Sequence, residues 1–165
     1  MTHHTPRPQG TRIGHVHLKV SNLERSIAFY RDVLGLELQQ LYGDQAAFLS
    51  FDGYHHHLGL NTWESLGGPR PARNAVGLYH TAFLYPDRVA LARAFKRVLE
   101  AGVDLDGAAD HGVSEAIYLS DPDGNGIELY VDRPESEWPR DAQGTLAMVN
   151  ARLDLKALLA LAEDA

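Results

Sequence analysis

The chain reads as an α+β domain of two paired βαβββ modules, their strands forming a curved, cup-like mixed sheet, with one further helix at the C-terminus. Three observations point there. A strand-like segment bearing a histidine, with a helix start six residues on, occurs twice: His15 to Ser21 and His80 to Pro86. The helix stops keep step, Gly35 lying twenty residues after His15 and Gly102 twenty-two after His80. Each helix is then followed by segments with the two-residue alternation of half-buried strands. A repeat of this size sets the architecture before any single residue is assigned.

Taken in order, residues 1–12 are a polar arm with two prolines. Ile13 to Val20 is a strand with Val16, Leu18 and Val20 on one face and His15, His17 and Lys19 on the other. Ser21-Asn22 caps a helix whose apolar positions are Leu23, Ile27, Tyr30, Val33 and Leu34, ending at Gly35. Strands at 36–41 and 46–51 follow, then the turn signal Asp52-Gly53 and a returning strand at 54–62. The first module therefore spans 13–63, and a Gly/Pro/Arg-rich linker covers 64–75. The second module, 76–133, repeats the order: a strand at 78–85, a helix opened by Pro86-Asp87, a strand at 113–119 and a turn feeding a last strand at 120–131. The two modules make one domain, 13–133. Residues 134–165 are a polar connector and a leucine-rich helix from about Leu153 to Ala162, which must cover another surface.

Composition excludes several classes of function. A net charge of −7 is unsuited to nucleic acid or anionic membranes, which demand clustered Lys and Arg. No apolar run approaches the roughly 20 residues of a membrane span. The lack of an apolar signal core near the N-terminus and of any cysteine makes the cytoplasm the expected compartment, and removes disulfides, thiolate metal sites and Cys nucleophiles.

The chemistry is expected from three residues. His15 and His80 hold the same position in the two first strands, and Glu128 stands alone among apolar neighbours on the opposite strand face. A buried carboxylate is costly unless paired, hydrogen-bonded or bound to metal. If the modules pack pseudo-symmetrically, the three side chains meet in one cup as two imidazoles and a carboxylate. That donor set suits Fe(II), and also Mn(II), Zn(II) or Ni(II). In the run His55-His56-His57, neighbours alternate faces in a strand, so the three cannot ligate one ion. His55 and His57 are placed towards the cup, with His57 the first candidate for proton transfer. Tyr130, two residues past Glu128, joins His57 as a catalytic candidate, while His55, Asn61 and His111 are placed as lining.

The stretches His15-Val-His-Leu-Lys-Val-Ser-Asn-Leu-Glu-Arg-Ser-Ile-Ala-Phe-Tyr-Arg-Asp-Val-Leu-Gly-Leu and Asp121-Pro-Asp-Gly-Asn-Gly-Ile-Glu-Leu-Tyr resemble the vicinal oxygen chelate superfamily. This superfamily includes glyoxalase I, extradiol dioxygenases, fosfomycin-resistance transferases and bleomycin-binding proteins. Tyr54 to Trp63 and Asp110 to Leu119 are similar to its catechol-2,3-dioxygenase-like branch. The resemblance implies metal ligands at His15, His80 and Glu128, with Fe(II) foremost. It also implies ring cleavage of a catechol-like aromatic with O₂. A further ligand found in glyoxalase I falls on Gly59, which has no side chain to coordinate. Alternatives are a metal-dependent lyase or isomerase on the same triad, or a metal-free protein that binds an aromatic ligand. The apolar C-terminal helix suggests a homodimer.

Overall fold

The computed structural model describes residues 10–163, so most of the expected arm lies outside it. Eight strands and three α-helices follow one another in the repeated order. Module one has β1 (Val16–Lys19), α1 (Leu23–Ala28), β2 (Glu37–Tyr42), β3 (Ala46–Ser50) and β4 (Leu58–Asn61). Module two has β5 (His80–Leu84), α2 (Arg88–Glu100), β6 (Leu105–Asp110), β7 (Ser114–Ser120) and β8 (Gly126–Asp132). The strands form two four-stranded sheets of matching order, β1-β4-β3-β2 and β5-β8-β7-β6. In each, the histidine-bearing first strand runs parallel to the last and occupies a sheet edge.

Local signals explain most boundaries. Asn22 and Asp87 cap α1 and α2 by accepting the Arg25 and Ala90 N–H groups. Helix α1 runs on into a widened turn over Phe29–Val33 and stops at Gly35, whose φ is +83°. Two readings need correction. Residues 54–57 are an irregular excursion rather than a strand, because Asp52 and Gly53 turn left-handed (φ 56° and 69°) and the ladder resumes only at Leu58. The assignment of the three histidines to alternating strand faces therefore fails. Strand β6, Leu-Asp-Gly-Ala-Ala-Asp, has no β-branched residue to announce it and owes its form to pairing with β7.

One continuous core joins the modules, running through Leu18, Ile27, Leu60, Leu91, Phe95, Ile117 and Leu129. The Asp121-Pro-Asp-Gly fingerprint turn clasps them together. Asp121 accepts the hydroxyl of fully buried Tyr30 at 2.9 Å. Asp123 accepts Ser21 Oγ–H at 2.5 Å and pairs with Arg25 at 2.7 Å. Burial and the Asp121 charge push the Tyr30 phenol far above its ordinary range, so it stays a proton donor. From the other side, Arg97 of α2 donates to the Val33 and Leu34 carbonyls at the end of the first helical segment. Helix α3 (Leu155–Ala160) lies on α2 with Leu158 fully buried. Its apolar surface is thus used within the chain and supplies no argument for a dimer.

Candidate metal and proton-relay site

Parallel pairing of β5 with β8 sets His80 opposite Gly126 and Ala82 opposite Glu128. His80 and Glu128 therefore share one sheet face, a diagonal step apart. The His80 Nε2 lies 2.9 Å from Glu128 Oε2, and the two side chains are 31% and 13% exposed. Antiparallel pairing with β7 puts Tyr118 directly opposite Glu128, and its hydroxyl lies 3.2 Å from Oε1. His111, just past β6, reaches the same hydroxyl through Nε2 at 2.7 Å. Its Nδ1 lies 3.1 Å from the Val149 carbonyl. Burial, then the Glu128 charge and hydrogen bond, push the Tyr118 phenol up to about 12. Four polar side chains are thus connected in series: His80, Glu128, Tyr118 and His111.

Tyr118 was not among the residues singled out from the sequence. Its signal was nonetheless present: in Ser114–Ser120 it alternates with buried Ile117 and Leu119 and must share the Glu128 face. Tyr130 lies on that face as well, its phenol raised by burial and then by the Asp132 and Glu128 charges.

The other candidates lie on module one. His15 is exposed, and its ring packs on His56 at 4.5 Å. His55 Nδ1 is 2.8 Å from His56 Nδ1, and His55 stacks on Tyr54 at 4.1 Å. His57 Nδ1 accepts the Phe51 N–H at 3.2 Å, so one of its nitrogens is committed to the backbone. Asn61 is buried and accepts the Trp63 N–H. The structure therefore unites His80, Glu128 and, through Tyr118, His111. It leaves His15, His55, His57 and Asn61 on module one, with only Asn61 in a strand. Among the described residues no group of three or more His, Asp or Glu side chains could hold a metal ion.

The His80–Glu128 pair nevertheless fits as part of a divalent centre. Two donors bound at about 2.1 Å on neighbouring octahedral positions lie roughly 3 Å apart, close to the separation seen. His80 Nδ1 is buried with no partner among the described residues, a polar atom left unsatisfied in the way a functional site tolerates. Module one lacks the matching carboxylate. Gly59 pairs with His17 in β1, as Glu128 pairs with Ala82 in β5. A Cβ at Gly59 would come within 2.8 Å of the His17 ring, so imidazole occupies the space a ligand there would need. Burial, then His15, hold His17 below the ordinary imidazole value.

Two βαβββ modules with a carboxylate and an imidazole converging on one sheet face define a vicinal-oxygen-chelate type of fold. The family model of the Glyoxalase/Bleomycin resistance protein/Dioxygenase superfamily matches residues 12–129, and the chain belongs to that superfamily. It is 44% identical to the catechol-2,3-dioxygenase of Bacillus subtilis (strain 168) over 156 residues, covering 94% of this chain and 54% of that enzyme. It is 34% identical to biphenyl-2,3-diol 1,2-dioxygenase 3 of Rhodococcus globerulus, covering 73% of this chain and 63% of that one. The chain thus spans less than two thirds of the length of each of these two relatives. A lactoylglutathione lyase of Neisseria meningitidis is 32% identical, covering 72% of this chain and 88% of the lyase. Among solved structures, a glyoxalase/dioxygenase from Nostoc punctiforme superposes with a TM-score of 0.63 at 22% identity over 79% of this chain and 98% of that one, a likeness of fold. No helix among the described residues is long and apolar enough to cross a membrane.

Proposed function

We propose that this chain is an extradiol-type dioxygenase that opens the ring of a catechol-like aromatic with O₂. The observation that carries this reading is the His80–Glu128 pair, 2.9 Å apart on an accessible sheet face and backed by a phenol and a further imidazole. The similarity to a catechol-2,3-dioxygenase supports the choice of substrate class. His80 and Glu128 would hold a divalent ion, Fe(II) foremost, which when bound supplies the positions where catechol oxygens and O₂ are brought together. Tyr118 and His111 would take up the proton a catechol hydroxyl releases on binding. His57 and Tyr130 are further candidates for proton transfer, His57 through the nitrogen that does not face the Phe51 N–H.

The third donor, His15, is proposed to come from a second copy. His15 adjoins edge strand β1 and His80 begins edge strand β5, and among the described residues neither edge is paired on its outer side. A two-fold partner laying its β1 beside β5 would bring its own His15 to the His80–Glu128 pair, twice per dimer. The bare position at Gly59 favours this three-donor site over the four-donor lyase arrangement.

The test is catechol ring cleavage by iron-loaded protein, followed through the yellow ring-opened product, beside metal analysis of wild type and His80→Ala. Near one iron per chain with turnover, both lost in His80→Ala, supports the reading. Iron-independent binding of aromatics without turnover refutes it. Mixing inactive His15→Ala with inactive His80→Ala chains should restore part of the activity if donors come from two copies.

A further inference from the structure

The relay from Glu128 ends on a backbone atom outside both modules. Residues 149–151 lie along the outer edge of β6: Ala151 exchanges both backbone hydrogen bonds with Asp110, at 2.8 and 2.9 Å, and the Val149 N–H donates to the His111 carbonyl at 3.0 Å. Arg133 holds Asp110 from the side at 2.7 Å, and Gly112 donates to Asp110 at 2.8 Å. The segment thus pairs with the end of edge strand β6 at Asp110. It also brings the Val149 carbonyl to 3.1 Å from His111 Nδ1.

A carbonyl can only accept a hydrogen bond, so this contact requires a proton on Nδ1. In a neutral imidazole the bare nitrogen is then Nε2, the atom 2.7 Å from the Tyr118 hydroxyl. Tyr118 has one proton and two acceptors in reach, His111 at 2.7 Å and Glu128 at 3.2 Å. With Nδ1–H fixed, the phenol proton turns to His111 and Glu128 Oε1 receives no proton from Tyr118. With the opposite tautomer, His111 would donate to Tyr118 and the phenol proton would turn to Glu128. The direction of the whole chain is therefore set by one backbone carbonyl.

We propose that residues 149–151 are a positioning strap: the Val149 carbonyl locks His111 in the Nδ1–H tautomer, drawing the Tyr118 proton away from Glu128 and leaving that carboxylate free to bind a cation. The role at the metal rests on the dioxygenase reading; the tautomer does not. A proton released by a bound catechol would enter the chain at Tyr118 and be held at His111 Nε2, so Val149 acts through His111.

The strap can be unseated from beneath. Gly112 has φ +74°, and a Cβ there would meet Pro139 Cγ at 2.8 Å and Val149 Cγ2 at 3.2 Å. Gly112→Ala therefore pushes the segment outward. Val149→Pro leaves Gly112 alone and deletes the bond to the His111 carbonyl. Imidazole ¹⁵N spectra of the full, metal-free chain at about pH 8, where imidazoles are mostly neutral, read the tautomer of His111 directly. The resonance is assigned by its loss in His111→Gln. The expected result is Nδ1–H in wild type and in Tyr118→Phe, and a switch towards Nε2–H in both strap variants. Nε2–H in wild type, or an unchanged tautomer in strap variants whose amide spectra show the segment displaced, overturns the proposal. In the iron-loaded enzyme Gly112→Ala should lower kcat about tenfold at constant KM. An unchanged kcat beside a switched tautomer removes the positioning role. A chain that never cleaves a catechol refutes the dioxygenase reading and leaves the tautomer result intact.

Discussion

The two modules share a topology and differ where it bears on chemistry. Across β5, β8 and β7, module two sets Ala82, Glu128 and Tyr118 side by side; across β1, β4 and β3, module one sets His17, Gly59 and Phe48. Small, acidic and phenolic in one becomes large, empty and purely aromatic in the other. The bulk has moved from the central strand to the edge strand, and His17 fills what Gly59 leaves open. Trp63 and Phe48 pack around that ring at 5.5 and 6.0 Å. The framework is set by apolar residues on the opposite face, so the exposed face is free to diverge without cost to the fold.

The comparison breaks most sharply at Glu128. Glu128→Ala should abolish metal retention and lower ring cleavage at least about a thousandfold. His17→Ala, the change at the facing position of module one, should leave metal content at the wild-type level. Metal content per chain and kcat decide the matter; equal losses would mean that the modules do not differ in role.

The clasp comes next in size. Asp123→Ala strips partners from Ser21 and Arg25 at a largely buried position and should cost about 2–4 kcal/mol in urea unfolding. A loss below about 0.5 kcal/mol would show that the turn is not what binds module two to module one.

Rebuilding the missing carboxylate sharpens the contrast further. Gly59→Glu alone forces its Cβ into the His17 ring and should destabilise by about 1–3 kcal/mol. In a His17→Ala background most of that cost should vanish, giving a coupling of about 1–2 kcal/mol in a double-mutant cycle. Additive costs would place the strain elsewhere.

The smallest effect is at Tyr85, the counterpart of Val20. Its hydroxyl is buried without a partner among the described residues, and burial, against the opposing influence of Arg97, raises the phenol to about 12. Tyr85→Phe should be neutral or stabilising by about 0.5–1 kcal/mol at neutral pH. The folded value lies above the ordinary one near 10, so the neutral form is favoured in the fold. That contribution is whole below about pH 10 and is lost as pH rises through 12. Stability should therefore fall less steeply above pH 10 in Tyr85→Phe than in wild type, as thermal melts across that range would show.

Much of the fold was legible because it rests on local chemistry. The caps at Asn22 and Asp87, the stops at Gly35 and Gly102 and the apolar alternation of β8 each follow from a few neighbouring residues. Strand β6 was not legible, since its conformation comes from a partner strand far along the chain. The excursion at 54–57 was not legible because Tyr-His-His-His carries no alternation of its own, and only pairing across the sheet shows that the strand starts at Leu58.

The candidate site divides in the same way. The sequence alone determined that His80 and Glu128 lie on polar strand faces, and that module one has glycine where module two has a carboxylate. Only the tertiary structure decided that the fingerprint turn serves to bind the modules together, that Tyr118 and a backbone carbonyl at Val149 extend the pair into a chain, and that His15 lies against His56. The reason is physical: which face a side chain occupies follows from a period of two along one strand, whereas what it meets there depends on register, sheet order and packing between segments distant in sequence.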